Sequence, residues 1–278
     1  VRGAAGWPRA LVRSLRGVRG TEPLIQHPTE RGTINDVANS TLDWGALPVM
    51  ADGPNEGPEM AHGASAVLLN TGQVNDSLSE AIYETGLAAN ELGVPVVLDP
   101  VGMGSTPTRN ELVERLLADV EFAAIKGNYG EITALAGAEA EVRGVESVGE
   151  YDEIEQTTQA VAESANTVVV ASGDTDIVAT ADNAYRVAAG HEMMGEVVGT
   201  GCILGGTVAS FCGGIDDSLT AALHATLAFG LVGERAADDE YTGPASYHTN
   251  LLDGIWNLTP EAASDLDVDL DDRVERIE

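Results

Sequence analysis

Short apolar runs, each closed by a polar or glycine-bearing cluster and followed by a helix-like segment, constrain this chain more than any other feature. Ala66–Leu69 ends in Asn70-Thr71-Gly72, and Pro95–Leu98 in Asp99-Pro100-Val101-Gly102. Phe122–Ile125 ends in Lys126-Gly127-Asn128, and Thr167–Ala171 in Ser172-Gly173. Runs this short with no polar alternation predict strands buried on both faces. Between them the spacing predicts helices over 36–44, 77–92, 110–117, 131–136 and 151–165, with Gly45 and Gly93 as stops. Leu47–Met50 predicts a short strand, 177–179 and 185–188 a hairpin, and the chain after Cys202 a nearly all-helical region. Strands alternating with helices predict an α/β fold, a mostly parallel central sheet with helices on both faces. Ligands in such sheets bind beyond the carboxyl ends of the strands, so the four clusters form the candidate site.

Composition narrows the partners. Of 278 residues 44% are hydrophobic, enough for a large core, and no internal repeat or long linker divides residues 21–278, which are expected to form one domain. The charge is −31, from 45 acidic and 14 basic residues, which disfavours nucleic acid and anionic membranes as partners. Apolar runs are too frequent for an acidic disordered chain, so the charge is read as the surface of a protein from a very salty cytoplasm, where screening weakens self-repulsion. No run reaches membrane-spanning length, and no signal-peptide pattern is visible. Residues 1–20 differ: they carry five arginines and no acid, and are expected to be an atypical basic arm.

Several residues at the predicted strand ends could carry chemistry. Gly199-Thr200-Gly201-Cys202 precedes an apolar helix, so the turn can approach a ligand closely while the helix aims free N–H groups at it. That arrangement suits charge on a transferring phosphoryl group. Cys202 at a helix N-terminus is expected to have a lowered thiol pKa, whereas Cys212 is read as core. Asp99 and Glu131 together could hold Mg²⁺ through water beside nucleotide phosphates. Lys126 could meet those phosphates, and Ser172 the nucleotide. His62, His191, His224 and His248 show no metal-ligand spacing.

Leu47-Pro48-Val49-Met50, Asn70-Thr71-Gly72, Val97–Gly102, Ala124–Asn128 with Glu131, and Gly199–Cys202 occur in an order and at spacings that resemble the hydroxyethylthiazole kinases, of the ribokinase-like superfamily. The resemblance runs from about Pro23 to Trp256 and includes Gly243–Ser246 and Leu251-Leu252-Asp253. It implies ATP-dependent phosphorylation of 4-methyl-5-(2-hydroxyethyl)thiazole in thiamine salvage, by a cytoplasmic homotrimer with sites between subunits. It implies thiazole contacts at Met50 and Gly199, and ATP contacts at Lys126, Asn128 and Ser172. It also implies an anion hole at Gly199, Thr200 and Gly201, a Mg²⁺ region at Asp99 and Glu131, and Cys202 beside the substrate hydroxyl. Related kinases for sugars, pyridoxal and hydroxymethylpyrimidine place an Asp base where this family has Cys. One segment departs. Residues 26–34 read Gln-His-Pro-Thr-Glu-Arg-Gly-Thr-Ile, and Glu30 stands where the family has an Asn near the substrate. One inserted base and one lost base in a coding run for Thr-Asn-Glu-Val-Thr give the observed Thr29–Thr33, and the acid-free run 1–20 has the same character of a shifted, non-native segment. The alternatives are a kinase for another small alcohol, of the hydroxymethylpyrimidine type, or a catalytically impaired relative.

Overall fold

The computed structural model describes residues 6–29, 31–137, 142–143, 146–147, 153–266 and 268–277. Glu30 therefore lies outside the described residues, as do Tyr151 and Asp152 at the start of one expected helix. Among the described residues the elements are α1 (Gly6–Thr21), β1 (Leu24–Gln26), α2 (Ile34–Asp43), β2 (Leu47–Val49), α3 (Glu56–Ala61), β3 (Ala66–Asn70), α4 (Asp76–Leu92), β4 (Val96–Asp99), α5 (Pro107–Asp119), β5 (Ala124–Asn128) and α6 (Tyr129–Leu135). They continue with β6 (Val142–Arg143), β7 (Glu146–Ser147), α7 (Ile154–Ala165), β8 (Val168–Ser172), β9 (Asp176–Ala179), β10 (Ala184–Val187), α8 (Thr200–Gly214), α9 (Ser218–Asp238), α10 (Pro244–Asn257), α11 (Pro260–Ser264) and β11 (Val274–Ile277).

Nine strands form one sheet in the order β11-β10-β9-β8-β5-β4-β3-β1-β2. From β2 to β8 neighbours are parallel, and from β8 to β11 antiparallel. Strand side chains divide with period two, as the pleat requires. Leu68, Val97, Ala124, Val168 and Val170 face a layer built on α1, α8, α9 and α10. Val67, Leu69, Val96, Leu98, Ile125 and Val169 face a layer built on α4, α5 and α7. The two-sided burial expected from the apolar runs is thus present.

Local signals account for the helix ends. Asn75, Thr106 and Asp217 accept N–H bonds from the first turns of α4, α5 and α9. Gly93 closes α4 in the left-handed conformation. By contrast α8 is buried from Cys202 through Cys212 and shows no polar face. It runs through the middle of one layer, and its register decides where its N-terminus points.

Two expectations need correction. The basic segment 1–20 is not an arm over its described part: Trp7, Leu11, Leu15 and Val18 of α1 enter the core, and Arg9, Arg13 and Arg16 stay exposed. The positions recur at helical spacing, so the arginines occupy only the outer face. The C-terminal region is not all helical, because β11 extends the sheet, with Glu275 paired to Arg186 of β10 at 2.9 Å. Residues 24–26, of which Gln26 opens the segment that departs from the family pattern, form β1 between β2 and β3.

Candidate active site

Strand register assembles the site before any side chain is considered. β3 and β4 pair with Asn70 beside Asp99, and β5 and β8 with Asn128 beside Ser172. Met50 follows the end of β2 at the same sheet edge and packs half-buried on the core. The N-terminus of α8 arrives at this edge too. A Cβ on Gly205 would lie 3.0 Å from Asp99 Oδ2, so a larger residue there would press on the carboxylate and displace it by a few tenths of an ångström. Gly199, the residue before α8, has φ +99°, a left-handed turn for which glycine is the low-cost residue.

Four buried side chains meet there. Lys126 Nζ lies 3.4 Å from Asp99 Oδ1. Asn70 Nδ2 donates to Asp99 Oδ2 at 2.8 Å and to Cys202 Sγ at 3.4 Å. A Cβ on Gly201 would lie 3.0 Å from Lys126 Nζ, which puts the ammonium against the first turn of α8. Lys126 is also the only lysine in the sequence. Burial works against its charge, but Asp99, Glu131 and Cys202 outweigh that and hold it above the ordinary lysine value. Burial raises Asp99, and Lys126 and Asn70 oppose the rise.

The thiol corrects one expectation. Cys202 sits in the first turn of α8, yet its pKa is pushed up to about 11. Burial is the main cause and Asp99 adds to it, while Lys126, Asn70 and Thr33 oppose. Desolvation of a thiolate outweighs the helix terminus here, so Cys202 is a protonated thiol at neutral pH.

Glu131 is held by main chain. Its Oε1 accepts from Gly102 N at 2.7 Å and its Oε2 from Asn128 N at 2.8 Å, while Asn128 Oδ1 accepts from Glu131 N. This capping box starts α6 and ties the loop after β4 to the end of β5. Burial, its largest cause, pushes the Glu131 carboxyl up to about 7. Asp99 and Glu131 offer hard oxygen ligands with lone pairs to spare. No group of three or more metal-ligating side chains occurs among the described residues. The set therefore fits a cation that keeps most of its ligands as water and phosphate, as Mg²⁺ does.

Further residues at this edge carry no sequence signal of their own. Arg109 of α5 donates to Thr71 O and Val101 O, both at 2.8 Å, and to Gly72 O at 3.0 Å, joining the loops after β3 and β4. Asp176 Oδ1 accepts from Gly173 N at 3.1 Å and fixes the turn after Ser172. Burial raises the Asp176 carboxyl to about 7. A cleft of about 180 Å³ opens beside these loops, lined by Thr29, Arg31, Asp52, Gln73, Asn75 and Ser77 among others. Cys212 is a free buried thiol away from this set, as expected.

The sequence matches the model of the "Hydroxyethylthiazole kinase family" over residues 15–261. A hydroxyethylthiazole kinase of Haloquadratum walsbyi is 51% identical over 267 residues, 95% of this chain and 92% of that protein. One from Natronomonas pharaonis is 48% identical over 270 residues, 96% of this chain and 95% of that protein. The solved hydroxyethylthiazole kinase of Pyrococcus horikoshii OT3 superposes with a TM-score of 0.86 at 31% identity, covering 96% of this chain and 99% of that one. A ribokinase-like superfamily protein of Enterococcus faecalis V583, 12% identical, shares the fold at a TM-score of 0.61 over 94% of this chain and 92% of its own. The fold is ribokinase-like, and the chain belongs to the hydroxyethylthiazole kinase family.

Proposed function

We propose that this protein transfers the γ-phosphoryl group of ATP to the hydroxyl of 4-methyl-5-(2-hydroxyethyl)thiazole, a salvage step towards thiamine. The observation that carries this reading is the meeting of the Gly199–Gly201 turn, the first turn of α8 and the buried Lys126 ammonium at one point of the sheet edge. Free N–H groups at a helix start and a fixed ammonium stabilise charge spread over the oxygens of a transferring phosphoryl group. The acceptor oxygen bonds to the γ-phosphorus, the bond to the bridging oxygen of ADP breaks, and the hydroxyl proton passes to the phosphate product or to water.

Cys202 orients the acceptor hydroxyl and does not remove its proton. A thiol that stays protonated to about pH 11 is a poor base at neutral pH, and a loose transition state needs little proton removal. Met50 and Gly199 line the thiazole side, and Lys126, Asn128 and Ser172 the nucleotide side. Asp99 and Glu131 would hold Mg²⁺, largely through water, and the ion would neutralise phosphate charge when bound.

Assembly as a homotrimer in a salty cytoplasm completes this reading. Leu42, Leu47 and Trp256 are exposed large apolar side chains. Arg19 joins the main chains of Asp43 and Trp256 next to them, at 3.0 Å each. Their exposure beside β2, the last strand of the sheet, supports contact with another copy.

Release of ADP from Mg²⁺-ATP, measured in molar KCl with the thiazole alcohol, with hydroxymethylpyrimidine and with neither, tests the proposal. Thiazole-dependent turnover is expected. Faster turnover of the pyrimidine alcohol, or none of either, would overturn it.

A further inference from the structure

Asn70 is fully buried at the end of β3, and its amide is oriented by three hydrogen bonds. Gly72 N donates to Asn70 Oδ1 at 2.9 Å, which fixes the carbonyl side. Nδ2 then faces the opposite way, where both of its neighbours are acceptors: Asp99 Oδ2 at 2.8 Å and Cys202 Sγ at 3.4 Å. A flipped amide would place N–H against N–H at Gly72 and oxygen against oxygen at Asp99, so only one orientation is satisfied. Asn70 thus spends one N–H on the carboxylate and the other on the sulfur.

We propose that Asn70 is a positioning residue that acts through Cys202: by donating to Sγ it holds the sulfur as an acceptor and turns the thiol's own hydrogen towards the acceptor alcohol. A thiol has one hydrogen, and that hydrogen cannot point at a group already donating to the sulfur. The two residues are 132 positions apart in sequence, joined only because α8 packs over the ends of β3 and β4. The contact removes the thiol direction that faces Asn70, Thr33 also borders the sulfur, and the directions left to the hydrogen are fewer, which matters where the acceptor oxygen has to sit within reach of the phosphorus. The role rests on the assignment of Cys202 to the acceptor hydroxyl.

A double-mutant cycle on kcat tests it. Asn70→Ala is made in the wild type and in Cys202→Ala, with KM for ATP read alongside. Loss of one aligned hydrogen bond should lower kcat of the wild type about tenfold and leave KM for ATP within about twofold. In the Cys202→Ala background the same change should lower kcat by less than about twofold, because the group it acts on is gone. Equal losses in both backgrounds would overturn the proposal, since Asn70 would then act through Asp99 or the fold. Asn70→Leu, which keeps the volume without the donors, is read the same way if alanine loosens the loop. A second readout needs no turnover. In Cys212→Ala, Cys202 is the sole thiol, and its alkylation by iodoacetamide follows thiolate formation. Asn70→Ala should raise the thiol pKa further and slow alkylation at pH 9–10, because a donor to the thiolate is lost. An unchanged or faster rate would overturn the link. If the wild type forms no thiazole phosphate, the assigned reaction fails while this titration still measures the Asn70–thiol contact.

Discussion

Replacing Gly199 by alanine tests how tightly the turn before α8 is determined. Gly199 has φ +99° and ψ −6°, where an L-residue costs about 1–2 kcal/mol. The added methyl would also stand 2.6 Å from Thr33 Cγ2, well inside contact distance. Thr33 is 4% exposed, β-branched and at the start of α2, so it has no room to swing aside. Relieving such an overlap costs about 1–3 kcal/mol more. Alanine also restricts the unfolded chain and recovers about 0.4–1 kcal/mol. The net loss expected is about 3 kcal/mol. In a Thr33→Ser background Cγ2 is absent, only backbone strain remains, and Gly199→Ala should cost about 1 kcal/mol. Urea unfolding of the four proteins in molar KCl measures both quantities. A loss under about 0.5 kcal/mol, the range of ordinary surface changes, refutes the packing argument, as does an equal loss in both backgrounds.

Cys202→Ala should bind both substrates and turn over at least about tenfold more slowly, because one orienting hydrogen bond is lost, as steady-state rates per folded molecule will show. A Cys202→Ala variant that turns over as fast as the wild type would contradict the orienting role. Stability should rise from low salt to molar KCl, because at −31 charge the screening length shrinks from about 10 Å at 0.1 M to about 3 Å at 1 M. A melting temperature that is flat or falls across that range would refute the salt-adapted reading. His224, buried against Ser14 Oγ at 2.6 Å, has its pKa lowered by burial to about 4 from the ordinary 6.5. Between those values the unfolded imidazole holds a proton that the folded one refuses, so its contribution to stability is lost as pH falls from 6.5 to 4. The stability advantage of wild type over His224→Asn should shrink by about 3 kcal/mol across that window, and a constant difference would show the shift to be absent.

The strands at the centre of the sheet were legible because burial on both faces makes β3, β4, β5 and β8 continuous apolar runs. Their terminal clusters carried the candidate site residues, and register alone then placed Asn70 beside Asp99. Less was visible where local signals compete. The apolar spacing of Trp7, Leu11, Leu15 and Val18 lay under five arginines, β1 is three residues long and ends in Gln26, and β11 sits in an acidic tail. The site's electrostatics could not be read locally at all. Helix position predicts a lowered Cys202 pKa, and the rise to about 11 comes from packing that only the folded chain supplies. Arg109 satisfies three main-chain carbonyls of two loops, a role that residue type alone does not reveal.

Phosphorus NMR of a reaction containing the protein, Mg²⁺-ATP and the thiazole alcohol in molar KCl tests the central claim most directly. The account predicts a new phosphate monoester resonance growing in equal amount with ADP, with little inorganic phosphate. ADP formed with inorganic phosphate alone, or ATP left intact beside folded protein, would contradict it.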